Sequence, residues 1–143
     1  MLQQKDIASL IKRINGNWGL SLEHEVETNG TIIPMSKFDS YITRYNCSPK
    51  TAMSGNSQYS VKVKDYTRTT YKYVVGNKEQ CKEALKEIKR QDLPHRCCTF
   101  MVLGTTREEM LARAPVIAEI CKEEGIALCM RLHCLLWGAK RCV

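Results

Sequence analysis

Two basic side chains, Arg131 and His133, lie in the apolar segment near the end of the chain. From Leu128 to Leu136 apolar residues alternate with other residues, and this period predicts a β-strand. A strand this apolar is expected to be largely buried, and a buried arginine or histidine needs a polar partner. Two interpretations stay open: the pair is satisfied by each other and by nearby carbonyl groups, or it binds an anionic ligand.

Polar residues follow three predicted strands at the points where those strands end. They are Glu27-Thr28-Asn29-Gly30, Ser48-Pro49-Lys50 and Leu103-Gly104-Thr105. In parallel α/β sheets, ligands bind beyond the carboxyl ends of the strands. Each segment alone is only a turn signal, but three at corresponding places favour a binding site.

The chain contains eight cysteines, at positions 47, 81, 97, 98, 121, 129, 134 and 142. No Cys-x-x-Cys and no three-cysteine cluster motif occurs, so a zinc or iron–sulfur site built by this chain alone is not expected. Several cysteines occupy apolar positions of periodic segments, where a free cysteine packs as a small hydrophobic residue. A disulfide-bonded secreted fold is not supported, because the first residues lack the apolar segment of a signal peptide.

The net charge of +7 is compatible with a nucleic-acid partner, an anionic small molecule or simple solubility. The densest basic cluster, Lys82 to Arg90, is interleaved with Glu83 and Glu87, which favours a solvated helix surface over a phosphate-binding patch. A nucleic-acid partner is therefore disfavoured. The length of 143 residues predicts a single domain, and the lack of a bilayer-length apolar run predicts a soluble, cytoplasmic protein.

Helical and strand-like patterns alternate along the chain. Helices are predicted from 5 to 15, from the Asn77 cap to Arg90, and from Gly104-Thr105-Thr106 to Gly125, the last with a kink or a helix junction at Pro115. Strands are predicted over 20–28, 38–47, 71–75, 97–103 and the final segment. This alternation predicts an α/β fold with a mostly parallel sheet flanked by helices.

Several of these segments resemble the 7-carboxy-7-deazaguanine synthase family, a radical S-adenosylmethionine family of queuosine and deazapurine biosynthesis. The similar stretches occur in family order and cover nearly the whole chain. They are Leu2-Gln3-Gln4, Glu27-Thr28-Asn29-Gly30-Thr31, Ser48-Pro49-Lys50 with Ser54-Gly55-Asn56, Tyr71-Lys72-Tyr73-Val74-Val75, and Arg131-Leu132-His133 with Leu135-Leu136-Trp137-Gly138.

The resemblance implies an incomplete (β/α) radical-SAM-type partial barrel and a lyase reaction. In that reaction 6-carboxytetrahydropterin, a pterin, undergoes radical ring contraction to 7-carboxy-7-deazaguanine with loss of ammonia. The cofactors implied are S-adenosylmethionine, a 4Fe-4S cluster and Mg²⁺.

The resemblance also implies roles for individual residues. Ser48, Pro49 and Lys50 would line the S-adenosylmethionine site, and Thr28 and Asn29 would be second contacts on a neighbouring strand. Substrate binding is implied for Arg131, whose guanidinium could pair with a substrate carboxylate, for His133 beside it, and for the tail through Val143.

The sequence departs from the family at two ends. In the family a Gly-Gly-Glu-Pro stretch and three cluster cysteines precede the part similar to Leu2-Gln3-Gln4, and this chain contains neither. Near the other end, Val102-Leu103-Gly104 stands where the family has Pro-Glu-Gly, and Cys142 replaces a glycine. We therefore expect an N-terminally truncated domain over 1–143. It would be active only if a separate N-terminal chain, a homodimer or an upstream reading frame lost from the gene model supplies the missing part.

Two other functions stay open. One is a non-catalytic remnant that binds a nucleoside-like ligand or a protein partner through its unpaired sheet edge. The other is a nucleic-acid-binding module, which depends on the net charge alone.

Overall fold

The computed structural model describes residues 3–18, 22–50, 60–138 and 140. The elements in chain order are α1 (Gln4–Trp18), β1 (Glu25–Thr28), α2 (Ser36–Asp39), β2 (Arg44–Cys47), β3 (Thr69–Val75), α3 (Lys78–Arg90), β4 (Cys98–Val102), α4 (Arg107–Glu124), β5 (Ala127–Cys129) and α5 (Leu132–Trp137). A short 3₁₀ turn, His95–Cys97, precedes β4.

The five strands form one sheet in the order β1-β2-β3-β4-β5, and all four neighbouring pairs are parallel. The predicted parallel α/β fold is therefore confirmed. The strands pair in sequence order, and a helix lies between β1 and β2, between β3 and β4, and between β4 and β5. A (β/α) barrel has the same strand order.

Within the described part of the chain, the helices pack on one face of this sheet. The buried side chains of that face come from alternate strand residues, such as Tyr71, Tyr73, Phe100 and Val102. They pack against the apolar stripes of α3 and α4, which include Cys81, Ala84, Ile88, Met110, Ile117 and Cys121. A second buried cluster includes one residue of β2, Tyr45. Its other members are Ala8, Ile11, Phe38, Ile42 and Val63.

Helix α3 begins and ends where the sequence predicts. The Asn77 side chain accepts a hydrogen bond from Gln80 N at 2.9 Å, which satisfies one of the first amide groups of the helix. Gln80 reaches back, but its Oε1 accepts from Gly76 N at 2.6 Å rather than from the cap residue. The predicted capping motif is thus confirmed, with its second bond displaced by one residue.

Helix α4 is one continuous helix of 18 residues with Pro115 inside it, so the predicted alternative of two helices meeting there is wrong. Thr106 caps it by accepting from Glu109 N at 3.2 Å, and Glu109 Oε2 accepts from Thr105 N at 2.9 Å. The helix ends at Gly125, whose φ of 65° is left-handed, as predicted.

Arg68 connects the segment before β3 to α2. Its Nε lies 2.7 Å from Asp65 Oδ2 and its Nη2 lies 2.9 Å from Asp39 Oδ2. Its Nη1 also donates to the carbonyl oxygen of Ile42 at 2.6 Å, and its guanidinium lies over the Tyr45 ring. The guanidinium therefore links α2 to the segments that precede β2 and β3.

Three of the predicted boundaries are wrong in detail. The strand predicted over 20–28 begins only at Glu25, and the described residues 22–24 lie outside it. The helix predicted over 5–15 continues past Gly16 to Trp18. The strand predicted over 38–47 begins only at Arg44, because Phe38 lies in the short helix α2 and is buried in the second cluster. Among the described helices, none has the combination of length and apolarity that crossing a bilayer requires.

Candidate functional site at the carboxyl edge and open face of the sheet

The carboxyl ends of β1 and β2 meet, as the strand register requires. Thr28 pairs with Cys47 in the ladder, and Ser48 N donates to Thr28 O at 2.7 Å. This bond places the segment Ser48-Pro49-Lys50 next to Thr28 and Asn29. The structure therefore brings together the two polar strand ends that the sequence places about 20 positions apart.

The side chains that follow β1 hold a tight turn. Thr28 Oγ1 accepts from Gly30 N at 3.0 Å, and Asn29 Oδ1 accepts from Thr31 N at 3.2 Å. Gly30 has a φ of 75°, and a Cβ at this position would lie 2.5 Å from the buried Cys47 Sγ. Both the conformation and the close approach require glycine, so the Asn-Gly pair is a structural turn that also orients Asn29.

A cleft of about 600 Å³ runs along the whole of β1 and reaches its carboxyl end. We call it the β1 cleft, and it is lined by Ile7, Glu25, Val26, Glu27, Thr28, Asn29, Phe38 and Lys50. Its volume is in the range of small-molecule sites. Three of the predicted cofactor contacts, Thr28, Asn29 and Lys50, share this cleft, whereas Ser48 and Pro49 do not line it.

The sheet face that the described helices leave uncovered is polar. We call it the open face, and it presents Glu25, Glu27, Arg44, Asn46, Thr70, Lys72, Val74, Thr99, Met101 and Cys129. None of these residues is buried, whereas their strand neighbours on the other face are mostly buried. All-parallel sheets normally have both faces covered, so a polar uncovered face is typical of a ligand cavity or an interface.

Charged side chains on the open face are paired across the strands. Glu25 accepts from Arg44 Nη1 and from Asn46 Nδ2, both at 3.2 Å. Glu27 Oε1 lies 3.8 Å from Lys72 Nζ, and the lysine side chain is only 24% exposed. No sequence pattern indicates these three partners, because only the register of neighbouring strands places them opposite the carboxylates.

The predicted location of Arg131 and His133 is wrong. The strand ends at Cys129, and Leu132–Trp137 is a helix, so the two residues do not share a strand face. Arg131 is half-buried at the N-cap position of α5, where its side chain makes no capping bond, and its Nη1 donates to Gly104 O at 3.4 Å. His133 is exposed in the first turn of α5. Val143 lies outside the described residues.

These two groups of predicted residues lie at opposite edges of the sheet. The β1 cleft is at one edge strand and Arg131 follows the other, four interstrand spacings away, or about 19 Å along the sheet. The structure does not bring them into contact. The open face is the surface that connects them.

The described cysteines do not fit the ligand set of an iron–sulfur cluster. Burial raises the pKa of the Cys47 and Cys98 thiols to about 12 and that of Cys121 to about 11, which disfavours the thiolate form that binds metal. These thiols pack in the sheet core as small hydrophobic residues, as predicted. Within the described ranges, no three side chains of the metal-ligating types lie together.

Comparison of the chain with models of known protein families and with curated protein sequences gives no match.

Proposed function

We propose that this chain is the C-terminal portion of a 7-carboxy-7-deazaguanine synthase-like radical enzyme of the cytoplasm. It would provide the S-adenosylmethionine cleft and part of the pterin-binding surface, while a second polypeptide provides the cluster. The observation that carries the proposal is the β1 cleft, because three residues singled out by the family resemblance line one cavity at the carboxyl edge of a parallel sheet.

The donors in the β1 cleft suit the chemistry of S-adenosylmethionine, which has a carboxylate, an ammonium group, a sulfonium and ribose hydroxyls. Lys50 would hold the carboxylate, and the carboxylates of Glu25 and Glu27 would face the cationic groups. The Asn29 amide nitrogen is available to a hydroxyl, since the turn uses only the side-chain oxygen. When bound, this cofactor supplies the radical that starts the ring contraction.

Other residues of the site would position these groups. Ser48 ties the end of β2 to β1, and Pro49 is buried, so together they fix the direction in which Lys50 leaves the strand. The open face supplies paired charges that can exchange partners with a polar substrate. Arg131 stays our predicted partner for the substrate carboxylate, because among the described residues its guanidinium makes one long bond, to Gly104 O.

The proposal also requires a partner. The described cysteines do not fit a cluster, so its ligands and the reductive step would come from another chain or from a second copy. β1 offers a place for that contact, because no described strand pairs with its outer edge. An apolar side chain is exposed along this strand, because Ile7 lines the β1 cleft and is 37% exposed.

Equilibrium binding of S-adenosylhomocysteine, the stable analogue, tests the cleft. We expect Lys50→Ala to weaken binding about five- to tenfold, the size of an exposed charge-assisted contact. Lys12→Ala is the matched control, since Lys12 is an exposed lysine of α1 that does not line the cleft. Equal affinities of the two variants would contradict the assignment.

Anaerobic reconstitution with iron and sulfide tests whether another chain must supply the cluster ligands. We expect no stable four-iron chromophore in this chain alone. A stable cluster would show that the thiols can rearrange into a ligand set and that no partner is needed.

A non-catalytic remnant is the alternative, and the unpaired β1 edge favours it, since an open edge invites association with another chain. Light scattering and 1-anilinonaphthalene-8-sulfonate binding examine this property. A monomer that binds no dye would count against the alternative.

A further inference from the structure

Four lysines of α3 form a stripe on one side of that helix. We call them the lysine stripe: Lys78, Lys82, Lys86 and Lys89. At 3.6 residues per turn they fall within a sector of about 80° and extend over about 16 Å. All four side chains are exposed.

The carboxylates that interleave with these lysines in the sequence are separated from them in the structure. Glu87 binds Arg90 at 2.7 Å and also Gln91 at 2.7 Å, and the Arg90 guanidinium lowers the pKa of its carboxyl. Glu79 and Glu83 lie on the neighbouring sector of the helix. In the part of the chain that the structure describes, no ion pair or side-chain hydrogen bond joins any ammonium of the stripe to another residue.

Unpaired like charges at this spacing are unfavourable to the isolated helix. Lys78, Lys82 and Lys86 follow one another at i, i+4 intervals, and like charges at that interval repel. Glu79 and Glu83, three residues before Lys82 and Lys86, offset part of this repulsion. A polyanion would remove the rest by placing negative charge along the stripe. The axial rise from Lys78 to Lys82 and from Lys82 to Lys86, about 6 Å each, is similar to the separation of neighbouring phosphates along a nucleic-acid strand.

We infer that the lysine stripe is a binding surface for the phosphate backbone of duplex nucleic acid. The contacts carry no base information, so binding is independent of sequence and depends strongly on salt. A duplex is favoured over a single strand because α3 contains no aromatic side chain on which unpaired bases could stack. This inference does not depend on the proposed enzymatic function.

An anionic membrane is the less suitable polyanion. Helices that bind membranes insert an apolar face below the headgroups. The apolar side of α3, with Cys81, Ala84 and Ile88, is buried against the sheet and is not available for insertion. The stripe thus offers charge without an apolar anchor.

Fluorescence anisotropy with a labelled DNA duplex of about 20 base pairs tests the inference over about 50 to 200 mM salt. If the stripe neutralises all four phosphates, it contributes about −3.6 to the slope of log K against log salt, or about a 150-fold loss of affinity over that range. Replacing all four lysines by glutamine is expected to remove this contribution.

The control variant changes four exposed lysines elsewhere to glutamine and has the same net charge. These are Lys5, Lys12, Lys37 and Lys62. We expect this variant to change the slope by less than about 1. Urea midpoints equal to that of the unmodified protein establish that both variants are folded.

Three results would overturn the inference. They are equal loss of affinity in both variants, unchanged affinity in the stripe variant, and binding to phosphatidylserine vesicles without binding to the duplex. The first would mean that net charge alone attracts the duplex, and the last would make the stripe a membrane contact.

Discussion

Gly30 is the residue at which the backbone of the candidate site is most tightly constrained. Its φ of 75° is left-handed, and a Cβ added there would meet Cys47 Sγ at 2.5 Å and Val61 Cγ1 at 3.2 Å. Cys47 is fully buried and cannot move into solvent. Gly30→Ala therefore introduces backbone strain and a steric clash together.

The two effects have separate magnitudes. A left-handed conformation costs a non-glycine residue about 1–2 kcal/mol. Overpacking by a methyl group in a close-packed core costs about 1–3 kcal/mol. We expect Gly30→Ala to lower the free energy of unfolding by about 2–5 kcal/mol, a large part of the stability of a domain of this size.

A double-mutant cycle with Cys47→Ala separates strain from clash. Removing the sulfur atom leaves room for the new methyl group, so in this background Gly30→Ala should cost only about 1–2 kcal/mol. Equilibrium unfolding in urea measures all four proteins. Gly16→Ala is the control, because Gly16 lies in α1 with nothing within 4 Å of its added Cβ, and alanine there should stabilise by about 0.5–1 kcal/mol.

Two results would refute this reasoning. Equal costs of Gly30→Ala in the two backgrounds would mean that the methyl group does not meet Cys47. A cost below about 0.5 kcal/mol in the unmodified protein would mean that the turn adopts another conformation. Because Gly30 follows Asn29, the same substitution should also weaken ligand binding in the β1 cleft.

The remaining predictions concern the charge network and the thiols. Arg68→Met removes the cation that pairs with Asp39 and Asp65 and should lower the free energy of unfolding by about 2 kcal/mol. Arg68→Lys keeps a cation but loses the planar guanidinium, so it should cost only about 1 kcal/mol. Urea unfolding midpoints measure both effects. Hydrogen bonds from Thr67 and Arg68 lower the pKa of Asp65 to about 2, below its unfolded value, so its stabilisation is present above about pH 4 and is lost as the pH falls towards 2. Because Asp65 is partly exposed, the free energy of unfolding should fall by only about 1 kcal/mol over this pH range. The Asp65→Asn variant should lack this fall, and an acid titration in which the variant loses the same stability would contradict the prediction. Burial raises the pKa of Cys98 to about 12, so iodoacetamide at pH 8 should label the half-buried Cys129 in the native protein and Cys98 only after unfolding, as peptide mass analysis can show.

The helices with strong local signals were predictable from sequence. Asn77 and Thr106 are cap residues whose bonds involve only the next few amide groups, and Gly125 ends α4 for a reason local to its own backbone. The short apolar strands were also predictable, since they lie between such helices. Local interactions fix these boundaries, so tertiary context does not change them.

The segment after Ala127 was not predictable in the same way. Its apolar residues alternate, but Leu132, Leu135 and Leu136 also satisfy the helical spacing. Strand β5 pairs with β4 over three residues, of which the last pair is Met101 with Cys129, and β4 itself ends one residue later at Val102. The backbone then satisfies its own hydrogen bonds as α5, with Leu135 N donating to Arg131 O at 3.1 Å.

The sequence by itself determined the α/β class, the parallel sheet, and the polar strand ends that meet at the β1 cleft, because periodicity, caps and turn residues are local properties. The tertiary structure alone decided which charges meet. The register of β1, β2 and β3 pairs Glu25 with Arg44 and Glu27 with Lys72. The packing of α3 leaves the lysine stripe without an ion-pair partner among the residues that the structure describes. Such pairings depend on distances between segments far apart in the chain, which no local pattern contains.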